Sequence, residues 1–211
     1  MGQGEYLIQL YIEDLVAGVD EVGRGALFGP VVAAAVILPM SAADELVSTM
    51  GGCIKDSKKL SGTTRQKLAE YIQQVALAWN IGCADNNEID QLNILQASLL
   101  AMKRAVLGLK VQPEVCLVDG KWLLPDLPMP QQTLVKGDER SPVIAAASIV
   151  AKVWRDELIA GLATKYTVYD LANNKGYGTE QHIKALQQHG PSPLHRMSFT
   201  PCRAALTTQG C

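Results

Sequence analysis

The sequence holds no Cys-x-x-Cys pair. Its five cysteines, Cys53, Cys83, Cys116, Cys202 and Cys211, are scattered and odd in number, which argues against a disulfide framework and against a zinc site. Cys83 and Cys116 stand in apolar runs and read as small core residues. Reduced thiols suit a cytoplasmic protein, and the N-terminus lacks the charged-then-apolar pattern of a secretory leader. Long hydrophobic runs are missing too. The longest, Val31 to Leu38, is far short of the ~20 residues a bilayer requires, so no membrane association is expected. Nor is there an excess of positive charge: 19 Lys and Arg against 21 Asp and Glu leave a formal net charge of -2. A global field would therefore not draw in a polyanion. If nucleic acid binds, positive charge must be concentrated locally or supplied by metals. The glycines of GRGALFG are not followed by the Gly-Lys-Ser/Thr of a phosphate loop. Ser57 and Ser148 have no neighbouring His–Asp arrangement for nucleophilic chemistry. Internal repeats and low-complexity segments are absent.

What is present is a core-forming composition in a chain of 211 residues. Hydrophobic residues make up 48% and aromatics only 5%, so small and aliphatic side chains must fill the core. The length suits one large domain with a small appendage. Residues 1–14 read as a leading segment, with a short strand near Tyr6 to Tyr11. Leu15 to Asp20 and Pro30 to Leu38 read as two buried strands joined through Glu21 to Gly29 as a hairpin. A weak helix is expected over 42–50, then a polar loop, DSKKLS (56–61). A helix from Thr63 places Leu68, Ile72 and Val75 on one face, and Ala78 to Ala84 reads as a third strand. One long helix is expected over 88–107, with Leu92, Leu95, Leu99, Met102 and Val106 forming its core stripe. Val115 to Val118 and Gln132 to Val135 are short strands around a proline-bearing loop. Ser141 and Pro142 suit the N-cap and first position of a helix that runs to about Ala163. Its early alanines allow close packing on a sheet. A turn-rich loop (173–178), a short helix (179–189) and a punctuated stretch (190–201) follow. The pattern predicts an α/β fold: a mixed sheet flanked by helices over 15–166, with a helical extension over 167–211.

Three segments share one design. Asp20-Glu21, Asp119 and Asp138 each follow an apolar strand-like run and adjoin glycine or a polar loop. If these strands are neighbours, four carboxylates converge, and their mutual repulsion calls for protons or cations. Oxygen-only ligands favour Mg2+ or Mn2+ over zinc. Two such ions on a phosphate activate water and stabilise the leaving oxygen. Taken singly, each acid reads equally as an ordinary loop residue. Gly23-Arg24-Gly25, directly after the first pair, permits close backbone approach to a ligand. Arg24 has the alternative of pairing with Glu21. Lys136 and Lys152 either balance the acids or lie on the surface, and His182 and His195 read as structural.

The motifs GVDEVGRGALFGPVVAAAVIL, DSKKLS, EIDQLNILQASLLAMKRAV, VDG, VKGDERSPVIAAASIVAKVWRD, NNKGYGTEQHIKAL and HGPSPLHRMSF, in this order and spacing, resemble bacterial ribonuclease HII across nearly the whole chain. The resemblance implies a ribonuclease-H-like fold. It implies cleavage of RNA in RNA–DNA hybrid duplexes and nicking 5′ of ribonucleotides embedded in DNA, leaving 3′-hydroxyl and 5′-phosphate ends. It makes Asp20, Glu21, Asp119 and Asp138 the catalytic metal ligands, for Mn2+ or Mg2+. Gly23, Arg24 and Gly25 resemble the family's 2′-hydroxyl sensor, and Tyr177 the tyrosine that stacks on the following sugar. Only the 2′-hydroxyl separates RNA from DNA locally. Ser57, Lys58 and Lys59 are candidates to hold phosphates, with an ordinary solvated loop as the alternative for the two lysines. A monomer is the simplest expectation.

Lys121, Glu139 and Met197 depart from the family pattern without removing a catalytic group. A silent duplex-binding protein of the same fold would be expected to lack one of the acids. A relative acting on DNA junctions would have no use for a 2′-hydroxyl sensor. A type-three ribonuclease H would carry a sizeable N-terminal domain before the first core strand.

Overall fold

The computed structural model describes residues 15–49 and 61–207. Ser57, Lys58 and Lys59, the strand expected near Tyr6 to Tyr11 and the loop 56–60 lie outside the described residues.

Five strands form one sheet: β1 (Val16–Val22), β2 (Val31–Ile37), β3 (Ala78–Ala84), β4 (Val115–Asp119) and β5 (Gln131–Leu134), in the order β3-β2-β1-β4-β5. β1, β2 and β3 pair antiparallel, as the short connection between β1 and β2 requires. β4 and β5 add on parallel. The sheet is therefore mixed, with β1 at its centre and buried on both faces. That burial explains why VAGV and VVAAAVI read as continuous apolar runs rather than alternating ones.

Two helices dominate the faces. Helix α5 (Pro142–Ala163) covers one, packing with Ala34, Val36 and Leu117. It lies so close to β1 that a Cβ on Gly18 would stand 2.1 Å from the Val143 carbonyl carbon. Helix α4 (Ile94–Leu107) covers the other face, against Ala33, Ala35, Ile37 and Val118. Helices α1 (Met40–Thr49) and α2 (Gly62–Val75) flank α5's side. The alanine-rich start of α5 packs as expected, with Ala145, Ala146 and Ala147 fully buried. Ser141 precedes it but its side chain makes no capping hydrogen bond.

The long helix expected over 88–107 is two helices. α3 (Asn86–Leu92) ends at Asn93, whose φ of 72° is left-handed, and α4 begins at once. The Asn93 side chain accepts from the backbone N–H groups of Leu95 and Gln96, so the break is capped from within. Leu92 is correspondingly no core residue: it is 41% exposed, whereas Leu99, Met102 and Val106 are buried.

After α5 come the short α6 (Leu171–Asn174), α7 (Glu180–His189) and α8 (Thr200–Thr207); α8 falls partly on the stretch read as punctuated loop. They enclose a third cluster with Leu27, Phe28 and Ile159. The connection between β1 and β2 is thus no free hairpin loop. Ala26 bridges Tyr177, and Phe28 bridges His195, in antiparallel fashion. Cys83, Cys116 and Cys202 are unpaired thiols. No helix among the described residues is long and apolar enough to cross a membrane.

Candidate active site

β1 and β4 run parallel with Val19 beside Val118, so the next residues, Asp20 and Asp119, emerge side by side. Glu21 follows on β1. Carboxylate oxygens of Asp20, Glu21 and Asp119 lie within 4.8 Å of one another. Asp20 is nearly buried at 6% exposure; Glu21 and Asp119 are half-buried. Asp20 accepts the Glu21 backbone N–H at 2.7 Å. Burial, then the charges of Glu21 and Asp119, hold the Asp20 carboxyl well above its ordinary range, partly opposed by a hydrogen bond with Ser148. Burial also raises Glu21, and Arg24 opposes it across a 3.0 Å ion pair. That pairing is the plainer of the two readings open for Arg24.

Asp138 is not among these three. It is buried in the 3-10 turn Gly137–Glu139, which joins β5 to α5. The same turn touches the cluster through the Gly137 N–H, which donates to Asp119 Oδ1 at 2.6 Å. Lys136 enters it in the left-handed conformation, with φ 55°. A Cβ on Gly137 would stand 2.5 Å from the Ile144 Cδ1 methyl and 3.2 Å from Asp119 Oδ1, so a larger residue here would displace the Ile144 methyl. Lys152 pairs with Asp156 at 2.7 Å and stands over the Tyr177 ring.

Three carboxylates held this close, one of them nearly buried, form an oxygen-only donor set whose repulsion a hard divalent cation would relieve. The residues present therefore fit such an ion.

The glycines flanking Arg24 do different work. Gly23 is buried, with φ +88°, and a Cβ there would stand 2.2 Å from Arg155 Nε. Gly25 is exposed, and a Cβ there would meet nothing within 4 Å. Gly23 lets the turn close on the protein, while Gly25 leaves backbone open to whatever approaches.

Two arginines that sequence reasoning passed over hold this turn. Arg155 and Arg196 are fully buried. Arg155 donates to the carbonyls of Phe28 (3.1 Å), Pro30 (3.2 Å) and Lys175 (2.9 Å). Arg196 donates to those of Arg24 and Gly29, both at 2.9 Å. Burial, reinforced by Arg155, pushes the Arg196 guanidinium down to about 9. Five backbone carbonyl dipoles thus surround the two guanidinium groups. A signal existed in the i+4 series Ala147, Ala151, Arg155, Ile159, an arginine on an otherwise apolar face.

Tyr177 is half-buried, 5.5 Å from the Arg155 guanidinium carbon to its ring centre. Its carbonyl contacts His182 Nδ1 at 2.9 Å. His182 and His195 are buried and joined Nε2 to Nε2 at 3.0 Å, which confirms them as structural. Met197 and Ser198 are tied back by their N–H groups to the Asp90 carboxylate, each at 2.8 Å. The extension, the Gly-Arg-Gly turn and the acidic strand ends therefore form one hydrogen-bonded frame.

Known proteins resemble this chain in sequence and fold. The ribonuclease HII family model matches residues 17–202. The ribonuclease HII of Trichormus variabilis is 62% identical over 195 residues, covering 92% of this chain and 85% of that protein. The ribonuclease HII of a Nostoc species is 64% identical over 192 residues, covering 91% and 84%. Among solved structures, the ribonuclease H2 of Pyrococcus horikoshii superposes with a TM-score of 0.76 at 25% identity, over 93% of this chain and 99% of that one. The family match extends from the central strand into the last helix, a span that includes the acids and the Gly-Arg-Gly turn, and the chain belongs to the ribonuclease HII family of ribonucleases H.

Proposed function

We propose that this ribonuclease H is an endonuclease that nicks duplex DNA on the 5′ side of an embedded ribonucleotide, besides cutting RNA in RNA–DNA hybrids, and leaves 3′-hydroxyl and 5′-phosphate ends. The observation that carries the reading is the bridge between Ala26 and Tyr177. It ties the residue after the Gly-Arg-Gly turn to the tyrosine, within a few residues of Asp20 and Glu21, so cutting and choosing groups share one rigid support.

The family depends on divalent metal, and the acidic cluster fits it. Asp20, Glu21, Asp119 and Asp138 are the ligands in this reading, for two Mg2+ or Mn2+ ions per cleavage. Bound there, the ions supply an activated water near neutral pH and stabilise the leaving oxygen. The chain's own residues position the substrate. The exposed backbone at Arg24 and Gly25 meets the 2′-hydroxyl, which both donates and accepts hydrogen bonds. Tyr177 packs on the next sugar, where a deoxyribose face fits and a 2′-oxygen clashes. Ser57, Lys58 and Lys59 hold phosphates. Residues 167–211 serve as an extension that completes the substrate site on the catalytic domain, 15–166. The enzyme works as a cytoplasmic monomer.

The test is a labelled DNA duplex with one ribonucleotide, incubated with Mg2+ or Mn2+ and with chelator. The expected product is a single 5′-side nick that chelator abolishes. Absence of that nick under every divalent ion tried, or a nick on the 3′ side, overturns the reading.

A further inference from the structure

We infer that Lys121 and Trp122 form a second nucleic-acid contact, gripping the duplex on the side of the acidic centre opposite Tyr177. The inference rests on the function proposed above and extends it.

The two faces of the sheet supply the geometry. Tyr177 stands over Lys152 and Arg155 of α5, on the face packed with Ala34 and Val36. Trp122 lies on the other side. Together with Lys121 it lines a cleft of about 140 Å3 that reaches Glu21, Arg24 and Asp119 and is walled by Leu95, Ser98 and Met102 of α4. α4 packs on the face of Ala33 and Ala35. The acidic strand ends lie between these flanks. A duplex whose backbone crosses the acids therefore has protein on both sides.

The loop carrying Trp122 is held firmly at both ends. Gly120, with φ +96°, turns the chain directly after Asp119. Leu124 is buried, and its N–H and carbonyl are both engaged by the Gln131 side chain, at 2.7 and 2.8 Å. Between these anchors Trp122 remains 50% exposed and Leu123 58% exposed. The Lys121 ammonium stands 5.3 Å from the centre of the Trp122 ring, so a cation and a flat apolar face are presented together. That pair suits a sugar–phosphate backbone: lysine for a phosphate, the ring for a sugar or base face. The wide, shallow minor groove of an A-like hybrid is open to such a rim. Overall charge gives no attraction here, since the net charge is -2, so a local cation beside the acids has the more to contribute.

Anisotropy binding of a labelled RNA–DNA hybrid in chelator, and steady-state cleavage of the single-ribonucleotide duplex, test the inference with W122A, W122F and K121Q. W122A is expected to weaken binding and raise KM about tenfold, with kcat within twofold. W122F should recover most of that loss, and both should unfold at the parent's temperature because the ring is half-exposed. K121Q should reduce the salt slope of log affinity by about one. W122A binding within twofold of the parent, or an unchanged slope in K121Q, overturns the inference. A parent that binds hybrid but fails to nick the embedded ribonucleotide refutes the function proposed above instead, and the binding arm still decides this one.

Discussion

Replacing Gly23 by alanine separates folding from recognition when compared with the same change at Gly25. At Gly23 the backbone φ is +88°, and holding a non-glycine residue in left-handed space costs about 1–2 kcal/mol. The added Cβ would also stand 2.2 Å from Arg155 Nε and 2.8 Å from Cδ and Cζ, so the guanidinium must move. Arg155 is fully buried and bonded to three carbonyls, of Phe28, Pro30 and Lys175. Each hydrogen bond from a charged donor contributes roughly 1.5–3 kcal/mol, and displacement breaks at least one. The sum is about 2.5–5 kcal/mol, a large part of the ~5–15 kcal/mol that holds an ordinary domain folded. At Gly25 the Cβ enters open space, and the loss should stay under ~0.5 kcal/mol. Urea unfolding of the two variants measures the difference directly. We expect G23A to lose both stability and activity. G25A should keep its stability while losing nicking of the single-ribonucleotide duplex by about tenfold or more. A G23A variant within 1 kcal/mol of the parent would show that Arg155 does not fill that space, and the account of the turn would fail.

Asp119→Asn and Asp138→Asn should each slow cleavage by at least ~10²-fold by removing a metal ligand, and near-parental turnover in either would refute its role. Asp20→Asn should make the protein more stable in chelator, because like charges up to 4.8 Å apart repel by about 3 kcal/mol per pair at an effective dielectric of 20. A gain of about 1 kcal/mol is expected after the offset from the hydrogen bonds that Asp20 makes with Ser148 and the Glu21 N–H, shown by thermal unfolding, together with a smaller response to added Mn2+ than the parent's. The histidine pair gives a pH prediction. Burial, then His182, pushes the His195 imidazole down to about 3, so the fold binds it neutral while the unfolded chain protonates near 6.5. Its stabilisation is full above 6.5 and is lost as pH falls towards 3, amounting to about 2 kcal/mol between pH 7 and 5. Urea midpoints across that range should fall in the parent and fall less in His195→Gln; parallel curves would contradict the assignment.

Much of this protein is determined by local pattern. The apolar runs at 16–19 and 31–37 become buried strands because a sheet covered on both faces needs side chains of one kind. The alanines after Pro142 become a helix pressed onto that sheet, since small side chains and Gly18 allow close approach. The four acids stand out because charge at the end of a buried run is costly without a partner. Where local signals competed, the pattern was insufficient. The apolar spacing over 88–107 ran straight through Asn93, whose side chain caps a new helix once the chain has turned left-handed.

Only the tertiary structure decided the rest, because it concerns residues far apart in the chain. Asp119 reaches Asp20 through a parallel strand register, and Asp138 adjoins them through a turn bonded to Asp119. The two glycines around Arg24 are chemically identical in sequence, yet one is buried against Arg155 and the other is open. That difference arises from a side chain more than a hundred residues away. Arg155 and Arg196 look like ordinary surface cations until burial leaves them only backbone carbonyls to bind. Spacing and the ordered motifs thus singled out the candidate residues; packing of the C-terminal extension against the first turn decided which side of that turn is buried and which stays exposed.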